Sequence, residues 1–106
     1  MTDLEKIIHM LSHGGVAEFN AQREQAYSLQ GSDLCGIDLR GLEAQGLDMR
    51  DCRLGHADLR GIDFSHTQLA GASIGGAKIS GTLFPLEISA EEINLSLLHG
   101  TRIRYR

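Results

Sequence analysis

A chain of 106 residues with 42% apolar side chains has material for a single core, and 14 acidic against 10 basic groups give it a formal charge of −4. No stretch approaches the roughly 20 apolar residues of a membrane span, so no membrane contact is expected, and the slight acidic excess gives no reason to expect direct nucleic-acid binding. Two cysteines make no disulfide framework and no signal-peptide pattern is found, which together predict a cytoplasmic location.

Residues 1–26 read as a helical leader. Thr2-Asp3-Leu4-Glu5 has the spacing of a capping box, and Leu4, Ile7, Ile8 and Leu11 recur on one helical face. Gly14-Gly15 interrupts that helix, and a second is predicted from Val16 to about Gln25. His9 and His13 stand four residues apart, a spacing that suits a metal pair, but no third ligand accompanies them. No metal or other cofactor is expected.

From 27 to 86 the chain falls into twelve units of five residues. The third position is Leu29, Leu34, Leu39, Ala44, Met49, Leu54, Leu59, Phe64, Leu69, Ile74, Ile79 and Phe84. The second is polar in eleven units of twelve, and the fifth is Gly in eight. Self-similarity this regular marks a repeat architecture. On a helix, five steps of about 100° would spiral the apolar residues around the axis. On a straight strand, an odd spacing would send each to the opposite face. One buried residue in five faces one interior only if every unit bends alike, and glycine at the fifth position suits such a bend.

Ser32-Asp33-Leu34-Cys35-Gly36, Ala57-Asp58-Leu59-Arg60-Gly61 and Ile62-Asp63-Phe64-Ser65-His66 resemble the units of pentapeptide-repeat proteins, and residues 15–23 resemble the helical leader often found before such repeats. The resemblance implies an all-β repeat solenoid, a right-handed quadrilateral β-helix of about three coils with four units per coil. First and third residues would point inward. The implied core is Leu34, Leu39, Met49, Leu54, Leu59, Phe64, Leu69, Ile74, Ile79 and Phe84, stacked in columns such as Leu39/Leu59/Ile79 and Ala44/Phe64/Phe84. Leu42 beside the undersized Ala44 suggests traded volume within one unit. Asp33 would stack on Arg53, Asp58 on Lys78 and Asp38 on Asp58, with an arginine two residues along to offset the like charges. In that geometry Cys35 points out and Cys52 in, so the two do not pair.

Residues 87–106 close the single domain, 1–106. Pro85 stops the repeat, Ser89-Ala90-Glu91-Glu92 offers a second capping box, and Gly100 a helix stop. The last six residues alternate, which predicts a short strand with Arg102, Arg104 and Arg106 on one face and Ile103 and Tyr105 on the other. This segment is the predicted contact surface. It would lie on the last coil of its own chain or pair with a second copy; dimerisation through the C-terminal end is what the family resemblance implies.

Asp63, Ser65 and His66 invite a triad reading, and Cys35 that of a nucleophile. Neither is predicted to be catalytic, because side chains projecting from a convex coil lack an enclosed pocket. The expected function is that of a non-enzymatic protein-interaction or scaffold module with an unidentified protein partner. The alternative, implied by the family, is a DNA mimic that binds type II topoisomerases such as gyrase. Residues 27–86 carry 7 acidic and 5 basic groups, a poor copy of a dense phosphate array.

Overall fold

The computed structural model describes residues 2–106. Helices α1 (Asp3–Ser12), α2 (Val16–Gln22) and α3 (Ala90–His99) are its regular elements. The capping box of α1 is complete: the Glu5 N–H donates to Thr2 Oγ1 at 3.1 Å, and the Thr2 N–H donates to Glu5 Oε1 at 3.3 Å. Helix α2 ends three residues before the expected Gln25, with Arg23 as its C-cap. Gly100, in the left-handed region at φ 69°, stops α3 as expected. Only half of the second capping box forms. Ser89 Oγ accepts the Glu92 N–H, whereas the Glu92 carboxylate turns away to the C-terminal segment.

The all-β architecture expected of residues 27–86 is not what they adopt. Among the described residues there is no extended strand and no sheet, and the C-terminal segment is not a strand either. Between α2 and α3 the chain is a succession of turns, tied by isolated parallel bridges twenty residues apart. These join Ser28 to Asp48 and Asp48 to Gln68, Asp33 to Arg53 and Arg53 to Ser73, Asp38 to Asp58 and Asp58 to Lys78, and Asp63 to Leu83. The period explains the correction. A turn in every five residues leaves one second-position residue per unit free to pair, too few for a strand.

A separation of twenty residues means four units per turn and three tiers. Each bridge is a pair of hydrogen bonds made by the later of its two residues: the Arg53 N–H donates to the Ser32 carbonyl at 2.9 Å, and the Leu34 N–H to the Arg53 carbonyl at 2.7 Å. Within each unit the first residue closes a turn on the previous third residue, as in Ala57 N–H to Leu54 carbonyl at 3.1 Å. Fifth-position glycines hold these corners at φ between 68° and 85°, and Asp51 and His56 take the same conformation at 61° and 59°.

The third-position side chains from Leu29 to Ile74 are at most 2% exposed, and those of Ile79 and Phe84 in the last tier are partly buried. Phe64 and Phe84 stack with ring centroids 6.2 Å apart. First positions also face inward, and their polar groups bond to the tier beneath: Thr67 Oγ1 to the Ala44 carbonyl at 2.7 Å, Thr82 Oγ1 to that of Leu59 at 2.6 Å, Cys52 Sγ to that of Leu29 at 3.0 Å. Ser32 belongs to the first tier, has none beneath it, and its buried Oγ has no partner among the described residues. Burial desolvates the Cys52 thiol and raises its pKa to about 11, while Cys35 is exposed.

Leu59 is fully buried, with Leu39 below and Ile79 above in its column. Truncation there leaves a void between tiers that stacked backbones cannot collapse into. Leu59→Ala is predicted to cost about 2–5 kcal/mol in chemical denaturation. A loss below about 1 kcal/mol would show that the column does not carry the core.

Candidate functional site

The predicted contact segment, residues 101–106, lies on the last tier of its own chain. Ile103 makes a two-way backbone pairing there, donating to the Ala72 carbonyl at 2.7 Å and accepting from Gly71 at 2.8 Å. Its side chain is 1% exposed. The Tyr105 hydroxyl accepts the Leu69 N–H at 3.0 Å and donates to the Thr67 carbonyl at 3.3 Å. Ser96 of α3 continues the series, its Oγ accepting the Ile74 N–H at 3.0 Å and donating to the Thr101 carbonyl at 2.6 Å. The Gly76 N–H then finds the Leu97 carbonyl at 2.9 Å. Donors that would have joined a further tier are thus satisfied on the first two sides of the coil.

The three arginines do not form a free row. Arg102 pairs with Asp51 at the corner of the middle tier. A Cβ on Gly71 would collide with that carboxylate and with the guanidinium, so glycine leaves the room this latch needs. Arg104 grips Glu92 through its backbone N–H at 3.0 Å and through Nε and Nη2, both at 3.1 Å. These bonds hold the Glu92 carboxyl below its usual pKa, Arg104's side-chain hydrogen bond being the largest cause. Arg106 is exposed, and its backbone N–H donates to the Glu87 carbonyl at 3.0 Å. The five residues predicted to bind a partner are therefore largely used within the chain.

What remains open is the rest of the same end. On the third and fourth sides the N–H groups of Ile79, Gly81 and Phe84 and the carbonyls of Ala77 and Thr82 have no partner among the described residues. Leu83 is 57% and Leu86 89% exposed in the final unit, and α3 presents Leu98 at 74%. The first tier differs: Leu29, Leu34 and Leu39 are fully covered, and Leu11, Val16 and Phe19 of the leader helices are buried with them.

The outward second and fourth positions carry paired charges. Arg40, Arg50 and Arg60 each meet the carboxylate two residues earlier, at 2.8, 2.7 and 2.7 Å. Asp33 lies 3.5 Å from Arg53, as the stacking predicted. Asp58 binds Arg60, with Arg40 at 3.4 Å, where the sequence had suggested Lys78. The Arg60 hydrogen bond, above all, holds the Asp58 pKa at about 2.

The other candidates do not converge. The Asp63 carboxylate accepts the Ser65 N–H at 2.9 Å and leaves His66 unoriented, although Ser65 Oγ and His66 Nδ1 are 3.1 Å apart. Burial and the Asp33 hydrogen bond raise the Cys35 pKa, the reverse of nucleophile activation. The His9 and His13 rings lie 4.1 Å apart, and among the described residues no group of three or more His, Cys, Asp or Glu could hold a metal. Among the described residues, no helix is long and apolar enough to cross a membrane. Sequence reading missed Ser96, Asp51 and Glu92 as tail anchors; the one local signal was Asp51 standing where the repeat prefers glycine.

A family model described as Pentapeptide repeats matches residues 28–54 and 48–84 in eight copies. No curated protein and no solved structure shows a significant similarity to the chain.

Two predictions follow from this geometry. Ile103→Ala removes the one buried side chain that anchors the tail and is predicted to cost about 2–5 kcal/mol by denaturation, with faster amide exchange at Gly71. A loss within about 0.5 kcal/mol would mean the tail contributes nothing to the last tier. Asp58 has a folded pKa near 2, below the ordinary carboxylate value. The unfolded state therefore binds more protons in that interval, so Asp58's contribution is complete above about pH 5 and is lost as pH falls toward 2. Asp58→Asn is expected to flatten the acid limb of a pH–stability curve, and an unchanged limb would contradict the assignment.

Proposed function

Since the chain belongs to the pentapeptide-repeat family, we propose that it is a non-enzymatic interaction module whose contact surface is the open end of its last tier, and that the occupant is a second copy of the chain. What carries this reading is the half-finished edge. Ile79, Gly81 and Phe84 offer N–H groups, Ala77 and Thr82 offer carbonyls, and Leu83 and Leu86 stand exposed in the adjoining unit. Unpaired edges beside apolar residues are a ready template for another chain. A two-fold axis across this end would set the same donors and acceptors of both copies against each other, giving a closed, isologous contact.

Supporting the non-enzymatic reading is the dispersal of the reactive side chains, none of which meets an oriented base or an enclosed cleft. Supporting a protein partner over a role as a duplex mimic is the pairing of carboxylates with arginines along the coil, which leaves no run of unneutralised charge.

The test is solution mass by sedimentation at about 100 µM, a concentration at which even a modest dimer is populated. The full chain is expected at twice its formula mass. Leu83→Lys with Leu86→Lys is expected to be monomeric with an unchanged circular dichroism spectrum, since both side chains are exposed. A monomeric full chain, or a dimer that survives both substitutions, would overturn the proposal.

A further inference from the structure

The fourth side of the coil departs from the other three. On the first three sides the lowest two tiers are bonded in both directions at each second-position residue, but no bridge joins Glu43 to Asp63. The N–H groups of Ala44 and Asp63 and the carbonyls of Leu42 and Asp63 find no partner among the described residues, and the tiers meet only toward the corner, where the Gly46 N–H donates to the His66 carbonyl at 2.9 Å and Thr67 Oγ1 to the Ala44 carbonyl at 2.7 Å. Helix α2 and the residue after it account for this. Asn20 takes the place of a lower tier, donating from Nδ2 to the Gly41 carbonyl and accepting the Glu43 N–H at Oδ1, both at 2.9 Å. Arg23 donates to the carbonyls of Glu43 at 2.7 Å and Gln45 at 2.6 Å, and to those of Glu24 and Gln25. The first tier is thus held to the leader on this side, and its upper edge is not closed against the second.

The result is a groove of about 710 Å³, within the usual range of ligand sites, with Leu42, Ala44, Gly61 and Ile62 along it and Glu43 and Asp63 on its two lips. We infer that this groove receives an extended peptide segment bearing basic side chains. The chemistry of the unpaired groups selects a peptide. Two N–H donors and two carbonyl acceptors at one inter-tier gap match the alternating groups of an extended main chain, whereas a phosphate would use the donors alone. The charge selects a basic one. Both lip carboxylates are exposed and lack an arginine partner, while Arg23 spends four hydrogen bonds on backbone carbonyls. This surface is separate from the open C-terminal end and does not depend on dimerisation.

The experiment is a titration of the full, isotope-labelled chain with the acetylated, amidated peptide Lys-Val-Lys-Val-Lys, followed by amide chemical shifts. Saturable shifts at Ala44, Gly61 and Asp63 are expected. They are expected to vanish when every second peptide nitrogen is methylated, and affinity is expected to fall at least about tenfold for Glu-Val-Glu-Val-Glu. Glu43→Gln with Asp63→Asn, both at exposed positions, is expected to erase the preference for the basic peptide while the shifts remain at the same amides. No saturable shift up to about 5 mM, equal response to the methylated peptide, or shifts confined to the C-terminal end would overturn the inference. An unchanged charge preference in the double variant would remove its basic component.

Discussion

Each side of the coil is joined to the tier below through one residue, the second of its unit, whose N–H donates to, and whose carbonyl accepts from, the residues flanking its counterpart twenty positions earlier. Where the pairing holds, it imposes the rest. It places the third residue inside, above and below its counterparts twenty residues away, and it puts the fifth at a corner that ten of the twelve units turn through left-handed backbone. Bonds of this kind are worth little singly and are costly to leave unmade in a buried setting. The stack is therefore cooperative in its middle and exposed to local failure wherever a side lacks a partner.

The chain meets that difficulty differently at its two ends. Below, α1 and α2 cover the apolar columns, and side chains of Asn20 and Arg23 replace backbone on a single side. Above, the order is reversed: Ile103, the Tyr105 hydroxyl, Ser96 Oγ and the Leu97 carbonyl finish the backbone of two sides, and the other two are left with free groups beside Leu83 and Leu86. Neither end repeats the coil. Both improvise its hydrogen bonds from whatever a short helix and a tail can reach, and the unfinished places are where association is expected.

The five-residue register, the Thr2–Glu5 box and the stop at Gly100 were legible because each rests on residues close in sequence. The expectation of strands failed on the same local grounds, since a turn in every unit leaves only single bridging residues between corners. The tail was legible as an alternating segment but not as a docked one. Its anchors lie far back in the chain, Arg102 meeting Asp51 and Tyr105 meeting Thr67, and alternation alone reads the same for a free edge as for a covered one. The groove on the fourth side was hidden for a similar reason. Leu42 beside Ala44 signalled an irregular unit, yet the gap above it comes from Asn20 and Arg23, twenty or more residues upstream of the Glu43 amide and carbonyl they hold.

Residue-resolved hydrogen exchange of the full chain tests the central claim, that pairing at a distance of twenty residues holds the tiers together, most directly. Slow exchange is predicted for Leu34, Leu54, Leu59 and Phe64, whose N–H groups donate to carbonyls of the next tier, against fast exchange at Ala44, Ile79 and Phe84, which occupy equivalent third positions without a partner. Equal protection of both sets, or rapid exchange at Leu54 and Leu59, would contradict the tier-to-tier pairing on which the fold and both proposed contact surfaces depend.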